Sequence, residues 1–207
     1  MQLYTSKNGT NPMRVRLYLA EKDLKLPEID LDLLAGDQTR PEYLLLNSLG
    51  TVPSLELDDG VVITESIAIC RYLEELHATP PLFGANHLER AIVEMWNRRV
   101  ELEIYANAAW AVKHSHPFFN KTIKQIPAFA AEQCDKTAEK LQWLDSEMAD
   151  GRPFIAGDNY SVADITGYVA LYKLLPALNM TVSPELTHLS AWVTRVGKRP
   201  AVATLFV

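Results

Sequence analysis

Cysteine is scarce in this sequence: Cys70 and Cys134 are the only two. They lie far apart, form no C-x-x-C pair and have no metal-ligand spacing. Two reduced structural thiols are therefore expected, and no metal site. Basic charge is also short. Twenty Lys and Arg face 26 Asp and Glu, a net charge of −6, which excludes a nonspecific polyanion binder and gives no expectation of a nucleic-acid partner. A local basic pocket for a small acidic ligand stays compatible with that balance. No apolar run approaches the ~18 residues a membrane helix needs, so no membrane span is expected. The opening "MQLYTSKNGTNP" has no basic stretch followed by an apolar one. A secretory signal is thus not expected, and the cytosol is the expected compartment. There is no internal repeat and no low-complexity tract. With 207 residues, 48% apolar and 22% charged, the chain can bury one large core or two small ones, and wholesale disorder is excluded.

The β signal is confined to the first third of the chain. "MQLYT" opens as a strand. "NPMRVRLYLAEKDL" has helical spacing, with Pro12 suited to the first helical position and Asn11 to the N-cap. "EIDLDLL" alternates, with Ile29, Leu31 and Leu33 on one face. "RPEYLLLN" is a short helix. "SLEL" and "VVIT", joined by Asp58-Asp59-Gly60, read as a hairpin. "ESIAICRYLEELH" closes the region as a helix. The order β-α-β-α-β-β-α over residues 1–76 predicts a small α/β domain on a mixed four-stranded sheet. Two prolines and a glycine between His77 and His87 predict a linker over 77–87. Residues 88–207 read as all-helical: a long amphipathic helix ended by His116-Pro117, a second stopped at Gly151, a strongly apolar third ending near Pro176, and a fourth in "PELTHLSAWVTRVGKRP". In "DNYSVADI", Ser161 and Asp164 have capping-box spacing, which is a folding device.

The stretch "GTVPSLELDDGVVITES" raises a question of backbone pairing. Pro53 has no N–H to give to a sheet, so it either starts an edge strand in trans or, in cis, turns the chain and presents the amide groups of Val52 to an extended ligand. Glu65-Ser66 is either an ordinary helix start capped by Thr64, or a site where a helix N-terminus and a hydroxyl meet a carboxylate while Glu65 accepts from an ammonium. Gln38 and Arg40 in "GDQTRPEY" are either a solvated loop or the partners of a second carboxylate.

Three stretches, "NPMRVRLYLAEK", "NSLGTVPSLELDDG" with "ITES" after it, and "YSVADI", resemble the cytosolic glutathione transferases in order and spacing along essentially the whole chain. "WNRRVELEIY" is similar to the atypical fungal and bacterial subgroup, which lacks the usual catalytic Tyr, Ser or Cys. The resemblance implies a thioredoxin-like α/β N-terminal domain and an all-α helical bundle that forms the electrophile pocket. It also implies a cis Val52–Pro53 bond with the Val52 backbone pairing to glutathione, a γ-glutamyl site at Glu65 and Ser66, and a glycyl-carboxylate site at Gln38 and Arg40. The implied activity is conjugation of the glutathione thiolate to small apolar electrophiles, a detoxification role, by a homodimer that needs no metal. Two rivals remain: glutathione-dependent peroxide or disulfide reduction, and a noncatalytic binding protein on the same fold.

A free thiol near pKa 8.5 is only a few per cent ionised at neutral pH, so the thiolate must be stabilised. Ser6 and Asn11, beside the start of the first helix, are candidate donors, and no cysteine occupies that loop. Tyr4 lies inside the first strand and reads as a packing residue. In the atypical subgroup a Ser and a His four residues apart on the long helix hold a water near the sulfur. This chain departs from that pattern, with Ala109 and Lys113 at the matching positions and His114 one step along, about 100° around the helix. Lys113 and His114 are the candidate groups from the helical domain.

Overall fold

The computed structural model describes residues 1–206, and the chain divides into two compact units, Met1–Pro81 and Leu82–Val207. The first contains β1 (Gln2–Thr5), α1 (Thr10–Glu21), β2 (Glu28–Asp30), α2 (Pro41–Leu46), β3 (Ser54–Glu56), β4 (Val62–Thr64) and α3 (Ser66–Leu76). Its sheet has the order β2-β1-β3-β4, with β1 parallel to β2 and antiparallel to β3, and β3 antiparallel to β4. This is the mixed four-stranded sheet of the thioredoxin-like expectation. Alternation along the strands divides the side chains between two faces. Leu3 and its cross-strand partner Leu55 are fully buried, in a core that also takes Val15, Leu17, Ile69 and Leu73. Tyr4 and its partner Ser54 point to the other face, where Tyr43 of α2 meets both.

Three local expectations need correction. Helix α1 begins at Thr10 rather than Pro12: the extended Gly9 is its cap, and the Gly9 carbonyl accepts the first helical bond from Met13 N–H at 3.1 Å. Asn11 therefore lies inside the helix and is not its N-cap. Thr64 is not a cap either, because Glu65 takes that position with φ +68° and α3 starts at Ser66. The alternating "EIDLDLL" yields a strand of only three residues, all exposed. Its last rung is Leu31 N–H to the Thr5 carbonyl at 2.9 Å. The Asp32 carboxylate then accepts from the Leu34 and Ala35 amides, at 2.9 and 3.2 Å, and turns the chain away.

The second unit is helical: α4 (His87–Val100), α5 (Ala106–Ser115), α6 (Pro127–Glu147), α7 (Val162–Val169), α8 (Leu175–Ala177), α9 (Thr187–Gly197) and α10 (Pro200–Leu205). The long helix read from the sequence is α4 and α5 joined by a π turn at Glu101–Tyr105, and a second π turn, Ala170–Leu174, joins α7 to α8. Neither turn contains proline or glycine, so the sequence does not mark them. Trp192, Tyr168, Leu144 and Ile104 are buried in the core of this unit. The capping box is present: the Asp164 carboxylate accepts from Ser161 N–H and Ile155 N–H, each at 2.9 Å, and from Trp192 Nε1 at 2.8 Å. The stretch read as a linker is shared between the units. Its first part is held in the first unit by Lys22, whose ammonium donates to the carbonyls of His77 and Pro80 and pairs with Glu74 at 2.7 Å. Among the described residues no helix is long and apolar enough to cross a membrane.

Candidate functional site

The sheet register brings four separate stretches to one end of the first unit. Strand β1 leaves the sheet after Thr5, and its parallel neighbour β2 after Asp30, at the same end. Tyr4 pairs with Ser54 and Ser54 with Thr64, so Val52-Pro53, entering β3, and Glu65-Ser66, leaving β4, flank that end too. The ends of parallel strands, where chains diverge, are where α/β sheets place ligands. Ser6, Val52, Glu65 and Ser66 are thus gathered from positions up to 60 residues apart (6 to 66) by strand pairing, and Gln38 joins them because its carbonyl lies against Gly50.

The Val52–Pro53 peptide is cis. Neither the amide nor the carbonyl of Val52 hydrogen-bonds to another described residue. The flanking residues are firmly held. The Thr51 carbonyl accepts from the Tyr43 hydroxyl at 2.5 Å and from Asn47 Nδ2 at 2.8 Å, and Ser54 Oγ lies 2.9 Å from the same hydroxyl and 3.3 Å from Nδ2. Burial pushes the Tyr43 phenol up, so it stays a neutral donor. Helix α2 therefore clamps both sides of a dipeptide whose own amide groups are left open. Gly50, at φ +60°, takes part in this: a Cβ there would sit 2.9 Å from the Gln38 carbonyl. Only glycine lets the Gln38 loop lie against the turn that leads to Val52.

Glu65 is exposed and Ser66 buried, and neither side chain bonds to a described residue. The Glu65 carbonyl accepts from Ile69 N–H at 3.0 Å, which leaves the amides of Ser66, Ile67 and Ala68 as the open donors of α3. A carboxylate, a hydroxyl and a row of amides meet here, on a non-glycine residue held at positive φ. Such strain persists only where the surroundings enforce it, and it concentrates at ligand sites. Gln38 lies in the single turn Asp37–Thr39. Its Nε2 donates weakly to the Leu33 carbonyl at 3.4 Å, and its Oε1 is buried without a hydrogen-bond partner. Arg40 is exposed and pairs with Asp37 at 2.7 Å.

Ser6 is buried, and its carbonyl accepts from Gly9 N–H at 3.2 Å. The loop is tied to the end of β2 through Lys7, whose amide donates to Asp30 at 3.0 Å. Asn11 accepts from Arg14 Nη1 at 3.4 Å. Tyr4 is excluded from this end of the sheet, because its hydroxyl donates to Glu56 at 2.9 Å and Glu56 pairs with Gln2 at the opposite end. In the second unit the Lys113 ammonium lies 4.6 Å from the centre of the Trp110 ring. His114 Nδ1 accepts from Ile126 N–H at 3.1 Å, and its ring meets Phe129 edge-on at 5.0 Å. Both side chains are engaged within their own helical layer. Among the described residues no group of three metal-ligating side chains comes together.

Two family signatures match the chain: "Glutathione S-transferase, N-terminal domain" over residues 10–76 and "Glutathione S-transferase, C-terminal domain" over residues 107–200. The chain belongs to the glutathione S-transferase family. It is 35% identical to glutathione S-transferase 2 of Saccharomyces cerevisiae, over 99% of this chain and 89% of that one. It is 40% identical to maleylacetoacetate isomerase of Pseudomonas aeruginosa, over 86% and 80%. The crystal structure of Gtt2 from S. cerevisiae superposes with a TM-score of 0.92, covering 99% of this chain and all of that one. For this member of the glutathione S-transferase family, sequence reasoning missed Tyr43, Asn47 and Ser54. The available signal was a polar residue, Asn47, directly after the apolar run of α2 and four residues before the Thr51-Val52-Pro53 turn.

Proposed function

We propose that the protein binds glutathione at the open end of the first unit and transfers its thiolate to small apolar electrophiles. The open, clamped Val52 backbone carries this reading, because a peptide-like ligand can add to it as an extra strand would. Glu65 and Ser66, with the amides that start α3, are chemically matched to the ammonium and carboxylate of a γ-glutamyl group. Gln38 and Arg40 match the glycyl carboxylate. The thiol then falls to the loop beside α1. There Ser6 and Asn11 supply donors, and the helix N-terminus supplies partial positive charge. We assign thiol activation to these two rather than to Lys113, whose ammonium lies over the Trp110 ring, and His114, whose Nδ1 accepts from Ile126 N–H. The thiol loses its proton to solvent, and the thiolate sulfur forms a bond to the electrophilic carbon as the leaving group departs with its electron pair. The apolar side chains of the helical unit are proposed to receive the electrophile. A cytosolic homodimer is proposed as the working form.

The identity to maleylacetoacetate isomerase favours a second reading at the same site. In it the thiolate adds to a conjugated double bond and then leaves again, so glutathione is regenerated. Calorimetric titration with glutathione tests the shared premise, and the absence of binding at millimolar ligand would overturn both readings. Rates on chlorodinitrobenzene, on maleylacetoacetate and on a mixed disulfide then separate conjugation, isomerisation and disulfide reduction. Turnover of the disulfide alone would replace conjugation.

A further inference from the structure

We infer that Asp37 is a specificity-determining residue at the glycyl end of the site: it keeps the Arg40 guanidinium neutralised, so that this end reads a γ-glutamyl-cysteinyl ligand by hydrogen bonding and hardly by charge. A ligand whose terminal carboxylate is capped as an ester or an amide is then bound nearly as well as glutathione. This rests on the proposed placement of the glycyl carboxylate at Gln38 and Arg40. The turn that carries both residues is close to the open backbone, because the Gln38 carbonyl packs against Gly50 in the approach to Val52.

The backbone holds Asp37 where it is. Its Oδ2 accepts from Asp32 N–H at 2.9 Å, and its own N–H donates to the Asp32 carbonyl at 3.2 Å. Arg40 N–H closes the turn on the Asp37 carbonyl at 3.2 Å, and Arg40 Nη2 then lies 2.7 Å from Asp37 Oδ1. That oxygen is buried and takes no hydrogen bond from a described residue, so the guanidinium charge is what compensates it. Drawing Arg40 away to a ligand strips a buried carboxylate oxygen of its cation. Leaving it in place sets the ligand's carboxylate and Asp37 on two sides of one charge, and the two anions repel. Either way the net attraction for a second carboxylate is small. Lys7, the cation beside the end of β2, likewise faces a carboxylate, Asp30, at 3.5 Å. What remains is the Gln38 carboxamide, whose Nε2 makes only the 3.4 Å contact to the Leu33 carbonyl. A neutral N–H donor serves a carboxylate oxygen and an ester carbonyl alike.

Calorimetric titrations with glutathione and with its glycyl monoethyl ester test this. The ester keeps the γ-glutamyl group and the thiol and removes only the terminal charge. Wild type is expected to prefer glutathione by less than about fivefold, the measure of an exposed ion pair. Asp37→Asn keeps an oxygen for the Asp32 amide and removes the competing charge. Glutathione should then bind about fivefold tighter, with the ester unchanged, as a charge-assisted contact to Arg40 becomes available. Arg40→Ala in that background should undo the gain, and a gain that persists without Arg40 overturns the inference. A wild type that prefers glutathione by more than about fivefold overturns it too and leaves the proposed function standing. So does an Asp37→Asn variant that moves both ligands equally, moves neither, or weakens glutathione alone; the last outcome would make Asp37 a support for Arg40 instead. Should Asp37→Asn not fold, the wild-type preference decides by itself. A wild type that binds neither ligand removes the proposed function and the inference together.

Discussion

Replacing Tyr43 by Phe deletes one oxygen atom from a buried site and leaves the ring its space. The hydroxyl makes two hydrogen bonds, to the Thr51 carbonyl and to Ser54 Oγ. At about 1 kcal/mol net for each neutral bond, the loss is about 2 kcal/mol of stability in the first unit. Asn47→Ala removes the Nδ2 donations to Thr51 and Ser54 and the acceptor of Leu49 N–H, for about 2–3 kcal/mol. Each single variant leaves the Thr51 carbonyl one donor. The double variant leaves it none, and a further loss of up to about 1 kcal/mol beyond the sum is expected, since Thr51 is exposed and water replaces part of what is removed. Because that carbonyl precedes Val52, glutathione binding weakens too, by at most about thirtyfold for the 2 kcal/mol single change. Urea unfolding should be followed by circular dichroism. Tryptophan fluorescence would miss the event, since all four tryptophans lie in the second unit. A strictly additive double-mutant cycle, with glutathione affinity unchanged in all three variants, would refute the clamp.

Glu65→Gly should move stability and binding in opposite directions. Relieving φ +68° raises the urea midpoint by about 1 kcal/mol equivalent, while the lost carboxylate weakens glutathione binding about tenfold or more; a variant that binds as wild type removes Glu65 from the site. Asp164→Ala orphans the buried donors of Ile155, Ser161 and Trp192, and about 3–6 kcal/mol of stability should be lost. A small shift in the second unit's denaturation midpoint would show that the box is dispensable. Burial raises the Cys70 thiol from 9.0 to about 12. The folded state therefore holds its proton more tightly, and the resulting stability is full below pH 9 and is lost as pH rises toward 12. Cys70→Ala should flatten that part of the pH–stability profile relative to wild type. A thiol reagent at pH 8 should modify the partly exposed Cys134 and spare Cys70 until the chain is unfolded, and two fast-reacting thiols in the native protein would contradict the burial argument.

The features legible in the sequence are those whose cause is local. The hairpin between "SLEL" and "VVIT" follows from Asp58-Asp59-Gly60 between an alternating run and a β-branched one. The capping box follows from Ser161 and Asp164 three residues apart, and both are in place. Asn11 misled for the same reason. Before a proline it has the chemistry of an N-cap, but the helix begins two residues earlier because the extended Gly9 backbone already closes the first turn. In β2 the alternation promised seven residues and Asp32 stopped the strand after three, since one carboxylate accepting from two amides outcompeted further pairing.

Chain order and apolar period by themselves determined the α/β half and the helical half, because each depends on neighbours a few residues away; at Val52-Pro53 the residues left trans and cis open, and the family resemblance pointed to cis. Only the tertiary structure decided that Ser6, Gln38, Val52 and Ser66 share one end of a sheet, and that Tyr43 and Asn47 clamp the Val52 turn. Those relations depend on strand register and on which face of a helix is buried. Both are set by packing the whole core at once, and no short stretch of sequence contains that information.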